Sequence, residues 1–114
     1  MQTYGRIQQT TANPRQLEAD LLVRAAAKLQ SVHDDWASGG LSDALTFNRR
    51  LWTILATSAT SEENPLPLQV KQNIGNLAIF IFNRTVSIES EPEPTKLASL
   101  ITINREIAAG LRGE

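Results

Sequence analysis

The sequence predicts an all-α fold, in which a single domain is built as a bundle of about four main helices. Three observations lead to this prediction. The chain has 114 residues, which is the usual size of one domain. Four segments carry apolar residues every three or four positions, which is the spacing of an amphipathic helix. Short stretches rich in proline or glycine separate these segments, and short connections favour a mostly antiparallel bundle.

The first predicted helix begins at Asn13-Pro14. Asparagine is a favoured N-cap because its side-chain oxygen accepts a backbone N–H bond, and proline at the first helical position loses no hydrogen bond. Residues 1–12 are polar, and we expect them to form an arm or a short helix. The helix is expected to end at Gly39-Gly40, since glycine adopts the left-handed conformation of a C-cap without strain. Its apolar stripe comprises Leu17, Leu21, Ala25, Leu29, Val32 and Trp36.

The second predicted helix begins at Leu41 or Ser42 and places Asp43 in its first turn, where the helix dipole favours an acid. It carries two apolar edges, so we expect it to lie centrally in the bundle. The first edge consists of Leu41, Leu45, Asn48, Trp52, Leu55 and Ala59. The second edge consists of Phe47, Leu51 and Ile54.

The third predicted helix follows a proline-containing loop and begins at Pro67. Its apolar face consists of Leu68, Val70, Ile74, Leu77 and Ile81. Residues 79–88 are rich in β-branched and aromatic side chains, so a strand is an alternative for this stretch. A helix is favoured because no partner strand is visible elsewhere, and one unpaired strand is not stable.

The fourth predicted helix follows the loop of residues 89–94, which contains three acids and two prolines. Acids that precede a helix suit the positive end of its dipole, and we expect Thr95 to be the N-cap. One face of this helix consists of Leu97, Leu100, Ile101, Asn104, Ile107, Ala108 and Leu111.

The composition argues against an enzyme. The chain has no cysteine and one histidine, which excludes thiolate metal sites and a cysteine nucleophile. The acids of the two proline-containing loops lack the rigid, partly buried setting of a catalytic carboxylate pair. Residues 33–35 (His-Asp-Asp) are adjacent on a helix, so their side chains do not converge. We therefore expect a non-enzymatic protein with no cofactor and no metal.

Charge and hydropathy indicate where the protein works. The net charge is −1, from 11 basic and 12 acidic residues, and the basic residues are scattered without an aromatic ladder between them. Nucleic-acid binding is therefore not favoured, nor is binding to an anionic membrane. The sequence has neither the run of about 20 apolar residues that spans a membrane nor a signal-peptide pattern. We expect a cytoplasmic protein.

An apolar-Asn-Arg step occurs three times, at residues 47–49, 82–84 and 103–105. Asparagine in a helix interior costs up to about 0.7 kcal/mol relative to alanine, so its repeated presence needs a reason. Three explanations stay open: the steps bond a partner from the rim of a groove, they tie one helix to another, or they arise by chance. Similarly, Trp36 and Trp52 are either core residues or anchors for a partner.

The most specific pattern is Phe47-Asn48-Arg49-Arg50-Leu51-Trp52. It is preceded by Asn13-Pro14-Arg15 with Glu18 and followed by Ile103-Asn104-Arg105 with Gly110-Leu111. In this order, and over nearly the whole chain, these residues resemble the flagellar biosynthesis regulator FlaF family. The family often has serine at the position of Asn13, and either residue is a good cap. The resemblance implies a small cytoplasmic regulator that binds flagellin as a secretion chaperone or adaptor and works with a second regulator, FlbT.

The resemblance also suggests where flagellin binds. An unassembled flagellin exposes amphipathic segments, and a helical bundle covers such a segment in an apolar groove with a polar rim. The residues expected at this site are Phe47, Asn48, Arg49, Arg50, Trp52, Asn104 and Arg105. The sequence leaves open whether the partner meets the second and fourth helices or residues 77–82, and whether a homodimer hides the same surface.

The alternative function is an RNA-binding regulator that acts on the flagellin message. The net charge of −1 opposes this alternative without excluding a local basic patch. RNA binding would be recognised by an affinity that falls steeply as salt rises.

Overall fold

The computed structural model describes residues 14–114, and the regular structure in this range is entirely helical. The four helices are α1 (Pro14–Asp34), α2 (Leu41–Ala59), α3 (Leu68–Ser90) and α4 (Leu97–Leu111). The predicted all-α bundle of four main helices is therefore confirmed. The predicted arm, residues 1–12, and the cap Asn13 lie outside the described residues.

Helices α1 and α4 pack against each other and run in opposite directions. The most extensive interface between helices joins α1 to α4, while α2 packs against both α1 and α3. Arg112 at the end of α4 donates to Asp20 near the start of α1 at 2.7 Å, and Arg105 donates to Gln30 farther along α1 at 3.4 Å. Later residues of α1 thus meet earlier residues of α4, which makes this pair antiparallel.

One continuous apolar core joins the four helices. Its largest aliphatic members are fully buried, and burying one such side chain stabilises the fold by about 1.5–3 kcal/mol. These residues are Leu22, Leu29, Leu45, Ile81, Ile88, Leu97 and Leu100. Trp52 lies at the centre of α2 with no exposed surface, so the core interpretation of this tryptophan is correct.

Three residues that were expected on core-facing stripes lie on the surface instead: Leu17, Ile54 and Leu68. On α1 the buried face includes Ala19, Leu22 and Ala26. Alanine has little apolar surface, so a pattern based on large apolar residues does not indicate all of the buried face. The small side chains of this face let α4 approach closely.

Residues 79–88 belong to α3, so the strand alternative is wrong. Ile81, Thr85 and Ile88 are buried on one face, with spacings of four and three residues. The Thr85 hydroxyl donates to the Ile81 carbonyl at 2.7 Å, which satisfies the one polar group on this face. The β-branched side chains therefore pack well in a helix because tertiary contacts outweigh their intrinsic preference.

The connections differ in detail from those expected. α1 ends at Asp34 rather than at the glycine pair, because a short 3₁₀ turn, Trp36–Ser38, follows it. Gly39 and Gly40 then adopt φ of 88° and 89°, a left-handed conformation that glycine adopts without strain. Trp36 is half-buried against the core, and this contact fixes the position of the 3₁₀ turn.

Thr95 is not the N-cap of α4. It lies within a second 3₁₀ turn, Pro94–Lys96, and α4 begins at Leu97 without a side-chain cap. The Lys96 ammonium instead donates to the carbonyl oxygens of Ser87 and Glu91, at 3.3 and 2.9 Å. The lysine thereby satisfies carbonyls at the end of α3, where a positive charge suits the helix dipole.

The ion pair that joins α1 to α4 gives a pH-dependent prediction. Hydrogen bonds from Arg112 and then Gln16 lower the pKa of the Asp20 carboxyl from its ordinary value of 3.8. A carboxyl whose pKa is lower in the folded state contributes stability above its unfolded pKa, and this contribution is lost as the pH falls through the folded pKa. Asp20→Asn should therefore lower the Tm slightly at neutral pH, and by less at about pH 2. Thermal unfolding followed by circular dichroism measures this difference.

Glu106→Gln is the control for this prediction. Glu106 is exposed on α4, and its carboxylate forms no ion pair with any residue of the range 14–114. An equal Tm loss for Asp20→Asn at both pH values would contradict the prediction.

Candidate functional site

The residues expected at the site divide into a buried group and a surface group. The buried group, with 0% exposure in each case, is Asn48, Trp52 and Asn104. The surface group consists of Arg49, Arg50 and Arg105, which are exposed, and Phe47, which is half-buried against the core. The structure corrects the expectation that Asn48, Trp52 and Asn104 contact a partner, because side chains without accessible surface cannot do so in this fold.

The buried group forms a chain of hydrogen bonds between α2 and α4. Trp52 Nε1 donates to Asn104 Oδ1 at 2.8 Å, and Asn104 Nδ2 donates to Asn48 Oδ1 at 2.7 Å. An indole N–H can only donate, so Trp52 fixes the orientation of both amides. Asn48 Nδ2 is left without a partner among the described residues. Two of the three apolar-Asn-Arg steps thus supply a tie between helices, one of the explanations left open above.

Two members of the surface group lie together in a shallow groove of about 420 Å³ between α1 and α2. We call it the α1–α2 groove; its lining residues are Leu21, Asp43, Thr46, Phe47, Arg50, Leu51 and Ile54. Phe47 and Arg50 belong to the expected site, whereas Arg49 and Arg105 do not line this groove. Arg105 instead lies on α4, where it donates to Gln30.

Two cations of α1 lie against the aromatic ring in this groove. The Arg24 guanidinium carbon is 5.8 Å from the centroid of the Phe47 ring, and the Lys28 ammonium is 5.1 Å from it. Both distances fall within the range of a cation–π contact. The pairing of residues from two helices is not visible in the sequence, because it depends on how α1 and α2 meet.

A larger groove of about 810 Å³ separates α2 from α3. In this α2–α3 groove, small residues form the floor: Ala56, Ala59, Gly75 and Ala78. Large apolar residues form the walls: Leu68, Ile79 and Phe82. Leu68 is 69% exposed and Ile79 is 61% exposed. Polar residues line the rest of it: Thr60, Glu62, Lys71, Gln72 and Asn76.

The groove exists because the small residues of α2 and α3 do not fill the space between the helices. A methyl group added at Gly75 would have no atom within 4 Å. In the sequence, residues 77–82 are apolar on all sides, and this pattern indicated an apolar surface here. A helix that is apolar on all sides and packs on one side only exposes apolar residues on the other.

The titratable groups of residues 14–114 do not converge into a reactive cluster. No group of three or more His, Asp or Glu side chains in this range could bind a metal ion. His33 Nδ1 lies 3.1 Å from Asp34 Oδ1, so these neighbours do touch, but the contact is exposed. That hydrogen bond, with one from Gln30, lowers the pKa of Asp34. What the described surface offers is mainly apolar grooves with polar edges.

Comparison with known proteins gives one match. The model of the flagellar protein FlaF family matches residues 1–111, which confirms the resemblance found in the sequence. No curated protein and no solved structure matches the chain. Among the described residues, none of the four helices combines the length and the apolar character needed to cross a bilayer.

Proposed function

Because the chain belongs to the FlaF family of flagellar proteins, we propose that it binds flagellin as a non-enzymatic secretion chaperone or adaptor and couples flagellin export to its synthesis. The observation that carries this proposal is the α2–α3 groove, with its exposed Leu68 and Ile79 side chains. Exposed apolar surface of this kind, edged by polar groups, is typical of a surface that binds another protein.

The chemistry of the groove fits an amphipathic helix. An amphipathic segment of unassembled flagellin buries its apolar stripe in the groove, with side chains at helical spacing above the alanine and glycine floor. Small floor residues allow the backbone of the guest to approach closely. The polar groups of Gln72 and Asn76 then lie where the polar flank of the guest needs hydrogen-bond partners.

A substitution on the wall of the groove tests the proposal. Ile79→Asp should weaken the binding of flagellin at least about tenfold, a change of about 1.4 kcal/mol, because a carboxylate would be buried in an apolar interface. Isothermal titration calorimetry of the full chain with flagellin from the same organism measures this change.

Ile54→Asp is the matched control. Ile54 is 63% exposed, close to the 61% of Ile79, but it lies in the α1–α2 groove. Circular dichroism first establishes that both variants are folded. We expect Ile54→Asp to bind flagellin as the wild type does. The proposal is wrong in its placement if both variants lose affinity equally, and wrong altogether if neither the wild type nor the variants bind flagellin.

A further inference from the structure

The α1–α2 groove has a different character from the α2–α3 groove. We propose that it is a second interaction surface, which binds an acidic amphipathic helix of a partner protein through carboxylates that pair with Arg24, Lys28 and Arg50. Such a surface would let the protein hold two partners at once. The inference does not depend on flagellin binding, because it rests on other residues and another groove.

The first argument is the charge of the groove. Arg50 lines the groove together with one acid, Asp43, whereas Arg24 and Lys28 lie at its edge, against the Phe47 ring. All three cations are exposed, and none of them forms an ion pair with Asp43 or with any other described residue. The cations around the groove therefore outnumber its one acid. Residues 1–13 contain no Asp or Glu, so no acid of that segment can neutralise them. By contrast, Lys96 and Arg112 both lie near carboxylates of this chain.

The second argument is the arrangement of the cations. Arg24 and Lys28 are one helical turn apart on α1, where like charges repel each other. Both lie close to the Phe47 ring, which lines the groove, so the two cations stand together at the edge of the groove. An anionic side chain placed between α1 and Arg50 would relieve the repulsion and gain charge-assisted hydrogen bonds.

The third argument is the floor of the groove, which favours a protein helix over a nucleic acid. Leu21, Leu51 and Ile54 offer aliphatic surface, and Ile54 is 63% exposed. Single-stranded nucleic acids need free aromatic faces for base stacking, whereas the Phe47 ring is in contact with two cations. From Asp43 to Ile54, α2 rises by about 16 Å, which matches about three turns of a guest helix.

The test uses a defined probe and the full chain. The probe is a fluorescein-labelled helical peptide with a leucine stripe flanked by glutamates, and its counterpart carries lysines in place of the glutamates. Fluorescence anisotropy measures binding. We expect the glutamate peptide to bind, the lysine peptide to bind at least about tenfold more weakly, and the affinity for the glutamate peptide to fall as salt rises.

Arg49 provides the matched control. It is the neighbour of Arg50 and is also exposed, but it does not line the groove. Arg50→Glu should weaken binding of the glutamate peptide at least about tenfold and improve binding of the lysine peptide, whereas Arg49→Glu should change either affinity less than about threefold. Ile79→Asp should leave peptide binding unchanged.

Three results would overturn the inference. The first is equal binding of the two peptides, and the second is an equal loss in Arg49→Glu and Arg50→Glu. The third is a single-stranded oligonucleotide that displaces the glutamate peptide at lower concentration than unlabelled peptide does. If Arg50→Glu does not fold, Arg50→Gln replaces it and is expected to show a smaller loss in the same direction.

Discussion

Asn104→Leu is expected to lower the free energy of unfolding by about 2–6 kcal/mol. Asn104 accepts a hydrogen bond from Trp52 and donates one to Asn48, and all three side chains have 0% exposure. The substitution leaves the indole N–H and the Asn48 carbonyl oxygen buried without partners, and each stranded group costs about 1–3 kcal/mol. Urea denaturation followed by tryptophan fluorescence measures the loss.

Two further variants make this prediction specific. Asn48→Leu should cost less than Asn104→Leu, because it strands only the Asn104 amide and removes a group, Nδ2, that already lacks a partner among the described residues. The triple variant Trp52→Phe, Asn48→Leu, Asn104→Leu should be more stable than Asn104→Leu alone. It removes every donor and acceptor of this buried hydrogen-bonded group, so none is left without a partner. Equal losses for Asn48→Leu and Asn104→Leu would show that the bonds do not carry the effect.

Ile81→Ala and Ile88→Ala are each expected to cost about 2–5 kcal/mol, because both side chains are fully buried and each substitution leaves a cavity in the core. Ile79→Ala, on the same helix, should change the stability by less than about 0.5 kcal/mol, since Ile79 is 61% exposed. Chemical denaturation of the three variants gives the comparison.

The pattern of these losses distinguishes a helix from a strand. Residues 81 and 88 share a face only at helical spacing, since an odd separation puts two residues on opposite faces of a strand. Residues 79 and 81, by contrast, would share a face of a strand. A large loss for Ile79→Ala together with a small loss for Ile88→Ala would contradict the helical assignment.

The periodicity of the sequence predicted α2 and α4 well, because large apolar residues define their buried faces. It even placed Asn48 and Asn104 on core-facing stripes. Of the three explanations left open for the apolar-Asn-Arg step, the tie between helices is correct for Asn48 and Asn104. Their placement at a partner site was wrong, and the periodicity was the better guide. For α1 the periodicity was less accurate, because it included Leu17, which is exposed, and missed Ala19, Leu22 and Ala26, which are buried.

The grooves could be predicted only in part. Residues 77–82 were apolar on all sides, which indicated surplus apolar surface in that segment. The depth of the α2–α3 groove depends on which small residues of two helices face each other, and no local pattern in the sequence specifies that pairing. The same holds for Arg24 and Lys28, whose contact with Phe47 joins residues far apart in the chain.

Helix α2 contributes residues to both grooves, and its hydrogen bonds to α4 bear on whether binding in one groove affects the other. A rotation of α2 about its axis would separate Asn48 and Trp52 from Asn104, with the energetic loss that follows from unpaired buried polar groups. The helix is therefore locked in one rotational setting. Occupancy of one groove should leave the affinity of the other unaltered, so a coupling free energy close to zero is the thermodynamic signature of this arrangement.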